Sequence, residues 1–533
     1  MHFDRSQEGP RVMSRRAKVL AAGVAGAAAV ALAACFAKRP AAVEPPGDNE
    51  KSKEQLFRDW PKPDMIVLIS GEQHGYLDPC GCSSPQIGGL VRRYNFLQTL
   101  KDRGWPVIAV DAGDIAQQKG PADLPNVQGL IKYKYSMEAL KLMGYSAVTT
   151  GENEASIGID KVLGEYALNN PVPKVLVANL KDRDANFPEE QAAWIIESVK
   201  GPGIKVGIVG VVGPSTAGKM KAFNEPGVVF PEGSAAKAIE SATKQMDAKN
   251  KPDVRILIYQ GQPEEARACA TYFPNRFQII ACVSKFDEPP SKAEVVKEAG
   301  TMIVNVGHKG KYVGAVGINR TGKDDPKFEL RYQLVRLEEE YLTPKDKVKG
   351  HPIMDLMERY AKELKQDNLL AKFYPSKHPI QLDKKPSEMP VFVGAERCKK
   401  CHESAYEIWE KSGHAHAYKA LLDPEKRNPP SNRQFDGECI VCHTTGFMYN
   451  SGYRNEKDTP KLINVGCESC HGPGSEHAKH PNNAQFRAEL NPWKGNSKRI
   501  ERDLCLKCHD SENDVHWKFD KWKKVEHYNP KGE

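Results

Sequence analysis

The chain has 533 residues, including 13 cysteines and 15 histidines, and a formal net charge of +8. That length exceeds what one hydrophobic core organises, so two or three domains are expected. The charge is the small difference between 77 basic and 69 acidic residues, and it gives no ground for nucleic acid as a partner.

The first segment reads as an export signal. Arg11, Arg15, Arg16 and Lys18 form a basic region, and Val19 to Ala34 is a run of 16 apolar and small residues. Such a run is short for a spanning helix and suits a signal core. Leu32-Ala33-Ala34-Cys35 resembles a bacterial lipobox, which implies lipidation of Cys35. Residues 1–35 are therefore expected to be a signal segment with lipobox. Residues 36–62, rich in Pro, Lys and Glu, read as a tether. The protein is expected in the periplasm or at the cell surface, held to the membrane through its lipid.

From Met65 short apolar runs alternate with amphipathic stretches. Met65–Ile69 reads as a strand, Gly89–Leu100 as a helix and Val107–Val110 as a strand. Further strands are expected over Lys174–Ala178, Lys205–Val212 and Val254–Tyr259, with a helix over Ala235–Met246. Phe277–Val283, Met302–Val306, Tyr312–Ile318 and Phe328–Val335 complete the set. Buried strands alternating with helices, closed by consecutive strands, predict a layered α/β domain over residues 63–340. A charged helical stretch, Met354–Lys372, lies in a linker over 341–388, and residues 389–533 form a last domain.

That last domain differs in kind. Cys398 to Glu533 contains 18 Leu, Ile, Val and Phe among 136 residues, too few for a conventional core. It also holds four copies of one motif: Cys398-x-x-Cys401-His402, Cys439-x-x-Cys442-His443, Cys467-x-x-Cys470-His471 and Cys505-x-x-Cys508-His509. Two thiols on one helical turn add across the two vinyl groups of one haem, and the histidine that follows ligates its iron. Paired cysteines alone would also suit zinc or redox dithiols. Four chance placements of histidine after such pairs have odds on the order of 10⁻⁶, which decides for four haem c. Their propionates add about eight negative charges, close to the chain's excess of +8. Flat apolar macrocycles would also replace the missing aliphatic core.

Each iron needs a sixth ligand or keeps an open face. His414, His477 and His527 are the leading distal candidates, with His416, His480 and His516 behind them. Met448 is expected to pack against a ring rather than ligate.

Val393-Gly394-Ala395-Glu396-Arg397-Cys398, Trp409 to His416, Cys442-His443-Thr444-Thr445-Gly446-Phe447 and Gly466 to Gly474, followed by His477, resemble the four-haem cytochrome that accepts electrons from hydroxylamine oxidoreductase. The resemblance covers about residues 390–530. It implies a mostly helical fold with closely stacked haems, chiefly bis-histidine, and places His414 and His477 in ligand-bearing motifs.

The layered region carries a second resemblance. Glu72-Gln73-His74-Gly75, Gly88 to Arg93, Asp111-Ala112-Gly113-Asp114, Gly144 to Gly151, Val177 to Leu180 and Gly310 to Gly314 occur in order. They resemble the metallophosphoesterase domain of secreted 5′-nucleotidases and thiosulfate-processing hydrolases, which implies an α/β/β/α sandwich. Catalysis in that family uses two metals about 3.5–4 Å apart. Here Glu72 stands for the family's Asp, and Gly151-Glu152-Asn153-Glu154 for Gly-Asn-His-Glu. Tyr259-Gln260-Gly261 and Ala281-Cys282-Val283-Ser284 likewise lack the family's later histidines. His74 and Asp114 remain, but an ordinary dinuclear site is not expected. Asp78-Pro79-Cys80-Gly81-Cys82 adds two soft thiols near His74, suited to a thiophilic metal or a redox pair, with Cys282 a third donor if it occupies the old ligand position.

The leading expectation is an electron carrier with redox partner proteins. The alternatives are a redox enzyme acting on a nitrogen or sulfur compound, at an open haem or at Cys80/Cys82, and a metal-dependent phosphoesterase with a haem appendage.

Overall fold

The computed structural model describes residues 56–79, 86–166, 172–182, 191–199, 201–223, 228–230, 233–323, 327–422, 433–493, 495–510, 513–514 and 517–527. The signal segment with Cys35, the tether up to residue 55, Cys80, Cys82 and His516 lie outside the described residues. No helix among the described residues is long and apolar enough to cross a membrane.

Two mixed sheets stack face to face. The first runs, edge to edge, Phe328–Arg336, Tyr312–Arg320, Met65–Ser70, Val107–Asp111, Tyr145–Val148, Lys174–Leu176 and Gln191–Ala192. Its last five strands are parallel and its first two add antiparallel. The second runs Glu294–Val296, Thr301–Val304, Ile279–Cys282, Val254–Gln260, Ile204–Val212 and Trp194–Val199. Strand alternation fills the space between them: Val67, Ile69, Val110, Leu176, Ile208, Ile256, Ile258 and Ala281 share one buried cluster. The opposite faces of the same strands, through Val209, Val211, Leu257, Tyr259 and Cys282, pack on the helices Ser234–Asn250 and Pro263–Tyr272. Helix Gly129–Met143 lies on the strand Tyr145–Val148 and on the helices Leu90–Asp102 and Pro352–Gln366. The result is the expected sandwich of helices, sheet, sheet and helices.

Every strand read from apolar runs is present. The helix Gly129–Met143 and the strand Trp194–Val199 carry weak patterns, because Lys132 is buried and the strand is only half-buried. The body already includes Phe57, which is buried and stacks near Phe96 and Trp105. The linker helix is equally integral. Ile353, Met354, Leu356, Met357, Tyr360, Ala361 and Leu364 bury one face, while Lys134 and Tyr135 both bond Glu363. Phe57–Glu533 therefore form one compact unit.

The last region is built of short helices around a small apolar cluster. Phe392, Tyr418, Leu421, Ile440, Phe447, Tyr453 and Leu462 belong to it, but Leu124, Leu370 and Phe373 come from outside the region. The aliphatic shortage is thus met in part by borrowing side chains from the layered domain and the linker.

The sheets approach closely at Gly210, where a Cβ would collide with the Leu176 carbonyl oxygen. Overpacking of this kind typically costs about 1–3 kcal/mol. Gly210→Ala should lower the denaturant midpoint of the full-length protein accordingly; an unchanged midpoint would show that the sheets can part freely.

Candidate functional site

Each Cys-x-x-Cys-His motif sits on a single helical turn, as two thiols facing one group require. The turns are Ala395–Lys399 with its following residues, Gly437–His443, Cys467–His471 and the 3₁₀ turn Cys505–Lys507. The fold brings them together in pairs. The thiols of Cys398 and Cys467 are neighbours that interact with one another, joining the first motif to the third. Those of Cys442 and Cys508 join the second to the fourth. Glu468, unremarked in the sequence between two cysteines, is buried and accepts the N–H groups of Val393, Gly394 and Gly474 at 2.7–3.0 Å. It ties the approach to the first motif onto the third.

The histidines are paired across the region. His402 faces His477 with ring centroids 6.0 Å apart, His509 faces His414 at 6.0 Å, and His471 faces His527 at 5.9 Å. Each pair joins a motif histidine to one from outside the motifs. The remaining motif histidine, His443, directs Nδ1 to the Ala417 carbonyl at 2.7 Å. Nδ1 of His471 meets the Leu490 carbonyl at 2.8 Å, and Nδ1 of His527 meets that of Val525 at 2.9 Å. Nδ1 of His509 meets the Asp514 carboxylate at 3.0 Å. A ring nitrogen donating to an oxygen fixes the tautomer and leaves Nε2 with its lone pair. Burial, reinforced by neighbouring histidines, holds His414, His471 and His477 below the usual imidazole pKa and therefore neutral. Of the weaker candidates, His416 is exposed, and His480 is exposed beside Phe486. Met448 packs on the apolar cluster.

In the layered domain, the loops after the strands Met65–Ser70 and Val107–Asp111 carry Glu72, His74 and Asp114. All three hold left-handed backbone, φ 49, 51 and 52°. Non-glycine residues adopt it at a cost of order 1–3 kcal/mol, and such strain concentrates at functional loops. Glu72 accepts the Ser284 N–H at 2.6 Å and faces His308 Nε2 at 3.1 Å. His308 Nδ1 meets Asp287 at 2.8 Å, and Lys309 reaches the same carboxylate at 3.1 Å. Burial opposes the His308 cation, but Asp287 and Glu72 outweigh it and raise its pKa to about 10. Burial, with the His308 and Lys309 charges beside it, drives His74 down to about 3, so His74 stays neutral. Burial raises Glu72 to about 7, partly offset by His308.

Asp114 accepts from Gln260 Nε2 at 3.0 Å and from the Asn153 N–H at 2.8 Å. Glu154 is buried and accepts the N–H groups of Asp114, Ala116 and Gly151. His308, Asp287 and Glu154 were not singled out in the sequence; the Gly307-His308-Lys309-Gly310 turn was the available signal. Cys282 corrects an expectation. Strand alternation turns it to the outer face, among Tyr259, Ala266 and Phe273, so it does not join His74. Burial pushes its thiol far up.

These geometries can be set beside known proteins. Residues 397–472 match the family described as cytochrome c554 and c-prime. Cytochrome c-554 of Nitrosomonas europaea is 30% identical over 143 residues, 24% of this chain and 61% of the cytochrome. A 5′-nucleotidase of Diplobatis ommata is 28% identical over 163 residues, 28% of this chain and 26% of that protein. The chain therefore spans less than two thirds of either relative. Among solved structures, a 5′-nucleotidase precursor of Thermus thermophilus is similar with TM-score 0.45 and 18% identity, over 57% of this chain and 59% of that one.

The cytochrome-like region fits haem. Two metal–nitrogen bonds of about 2 Å and two ring half-widths of about 1.2 Å sum to about 6.4 Å, close to the separation within each histidine pair. His477 Nδ1 is buried without a hydrogen-bond partner in the protein. The described residues of the layered domain do not present a ligand set for two metals. Both Asp114 oxygens and both ends of Asn179 are engaged in hydrogen bonds. Among the described residues no three His, Cys, Asp or Glu side chains surround a common point.

The His308 cation has a consequence for pH. Its folded pKa of about 10 lies above the ordinary imidazole value of 6.5, so its contribution to stability is complete below pH 6.5 and is lost on the way to pH 10. The melting temperature should fall across that window, and less steeply in His308→Gln. Identical slopes would remove His308 as the cause.

Proposed function

We propose that the protein is an exported, lipid-anchored c-type cytochrome with four haems that relays electrons between redox partner proteins, and that its phosphoesterase-like domain is not hydrolytic. The observation that carries this reading is the three histidine pairs, each pairing a motif histidine with His414, His477 or His527 across 5.9–6.0 Å. The match of residues 397–472 to the cytochrome c554 and c-prime family supports it.

Cys398 and Cys401, Cys439 and Cys442, Cys467 and Cys470, and Cys505 and Cys508 would attach the haems through thioethers, with His402, His443, His471 and His509 as proximal ligands. His477, His414 and His527 would be the distal ligands at the first, fourth and third motifs. Bound haem supplies reversible one-electron chemistry between ferric and ferrous iron. The protein's part is to hold the imidazoles in one orientation through the carbonyls of Leu490 and Val525 and the carboxylate of Asp514. Contact between the thiols of paired motifs keeps the attachment points close, which favours transfer from centre to centre. Lipidation at Cys35 would keep the relay at a membrane surface outside the cytoplasm.

Mass spectrometry of the native protein should give the mature chain plus four haems. His414→Ala, His477→Ala and His527→Ala should each convert one low-spin ferric signal to high-spin. Zinc in place of iron, or three substitutions without spectral effect, would end this reading. Metal analysis should find no stoichiometric metal beyond haem iron, and phosphoester turnover should be absent; either a second metal or turnover would reverse the assignment of the layered domain.

A further inference from the structure

The second motif is held differently from the others. Its helix, Gly437–His443, begins at the N-cap Asp436, whose carboxylate accepts the Glu438 N–H at 2.9 Å. Against this helix start lies Gln128, at the N-terminus of helix Gly129–Met143 of the layered domain. Gln128 is 1% exposed, and both ends of its amide are used. Nε2 donates to Asp436 Oδ1 and to the Tyr360 hydroxyl, each at 2.9 Å, and Oε1 accepts the Gly437 N–H at 2.9 Å. One turn on, Lys132 donates to Glu438 at 2.6 Å, with both side chains largely buried. Arg433, before the helix, pairs with Asp78 of the layered domain at 2.6 Å. Gly437 itself has no room for a side chain, since a Cβ would collide with the Phe373 ring of the linker.

Three consecutive residues before Cys439 are thus fixed by groups from outside the cytochrome-like region. Buried amide and ion-pair contacts have narrow geometry, and loss of one partner leaves the other desolvated and unsatisfied. A seven-residue helix cannot keep its own orientation without such contacts.

We propose that Gln128 and Lys132 are positioning residues for the second haem motif, so that the layered domain sets the orientation and redox behaviour of the haem bound at Cys439 and Cys442. The proposal rests on the haem reading above. It gives the phosphoesterase-like domain a role that needs no hydrolytic metal: it is the frame on which one of the relay's centres is mounted. Lys132 adds a fixed cation opposite Glu438, adjacent to the attachment cysteine. The first and third motifs, by contrast, are braced by Glu468 from within the cytochrome-like region.

The test uses the full-length, haem-loaded protein with Gln128→Leu, Lys132→Met and Lys132→Arg. A haem adduct on the Cys439–His443 peptide, read by mass spectrometry, checks the underlying reading separately; its absence would fail that reading. With the adduct present, haem-resolved magnetic spectra and an optical redox titration should show one centre altered in Gln128→Leu and in Lys132→Met. The other three should keep the parent signals, and Lys132→Arg should restore the fourth. Lys132→Met keeps the side-chain length and guards against a folding failure in Gln128→Leu. Four unchanged centres in Lys132→Met, or four that shift together, would overturn the proposal.

Discussion

Imidazole rings held in pairs about one metal-ligand span apart are the constraint on which the C-terminal region depends. The helices that carry the first three motifs and their neighbours are five to eight residues long, and the fourth motif begins on a three-residue 3₁₀ turn. Helices of that length do not persist by their own hydrogen bonding. Their apolar cluster is small and shared. Across the region His402 meets His477, His509 meets His414 and His471 meets His527. Each pair brings together residues far apart in the chain, so the three contacts join segments that the sequence separates.

The layered domain shows the complementary situation, a frame whose loops keep strained backbone while the centre between them is filled by the protein's own charges. Glu72, His74 and Asp114 retain left-handed conformations at strand ends. Two metal cations would neutralise such carboxylates; here the His308 imidazolium faces Glu72, and the Gln260 amide with the Asn153 N–H satisfies Asp114. A buried carboxylate needs hydrogen bonds or an opposite charge, and both are supplied internally. The carboxylates between these loops are thus compensated by the protein's own groups.

The two regions meet through polar groups that are buried or half-buried. Gln128, Tyr360 and Asp436 form one network, with Lys132 and Glu438 beside it. The linker helix Pro352–Gln366 supplies the apolar floor. A surface contact between independent domains would allow relative motion. A buried network of fixed directionality does not, and electron transfer benefits from centres whose separation is constant.

The motif pattern of the C-terminal region was legible in the residues alone, because thioether attachment of haem needs its thiols and its histidine adjacent in sequence. The strands were legible for a related reason: an inner strand buried on both faces reads as an apolar run, as in Ile204–Val212. The departures from the phosphoesterase-like ligand pattern were also visible, one position at a time. Which motif histidine each outside histidine meets was not, since His414, His477 and His527 reach their partners only after the chain has folded. Nor was the outward turn of Cys282, which follows from strand register, or the cation His308, whose partners Glu72 and Asp287 approach from other parts of the chain. Covalent and periodic features are local and survive in the one-dimensional text. Ligand pairing, charge compensation and the mounting of the second motif depend on long-range contacts, and only the tertiary structure decides them.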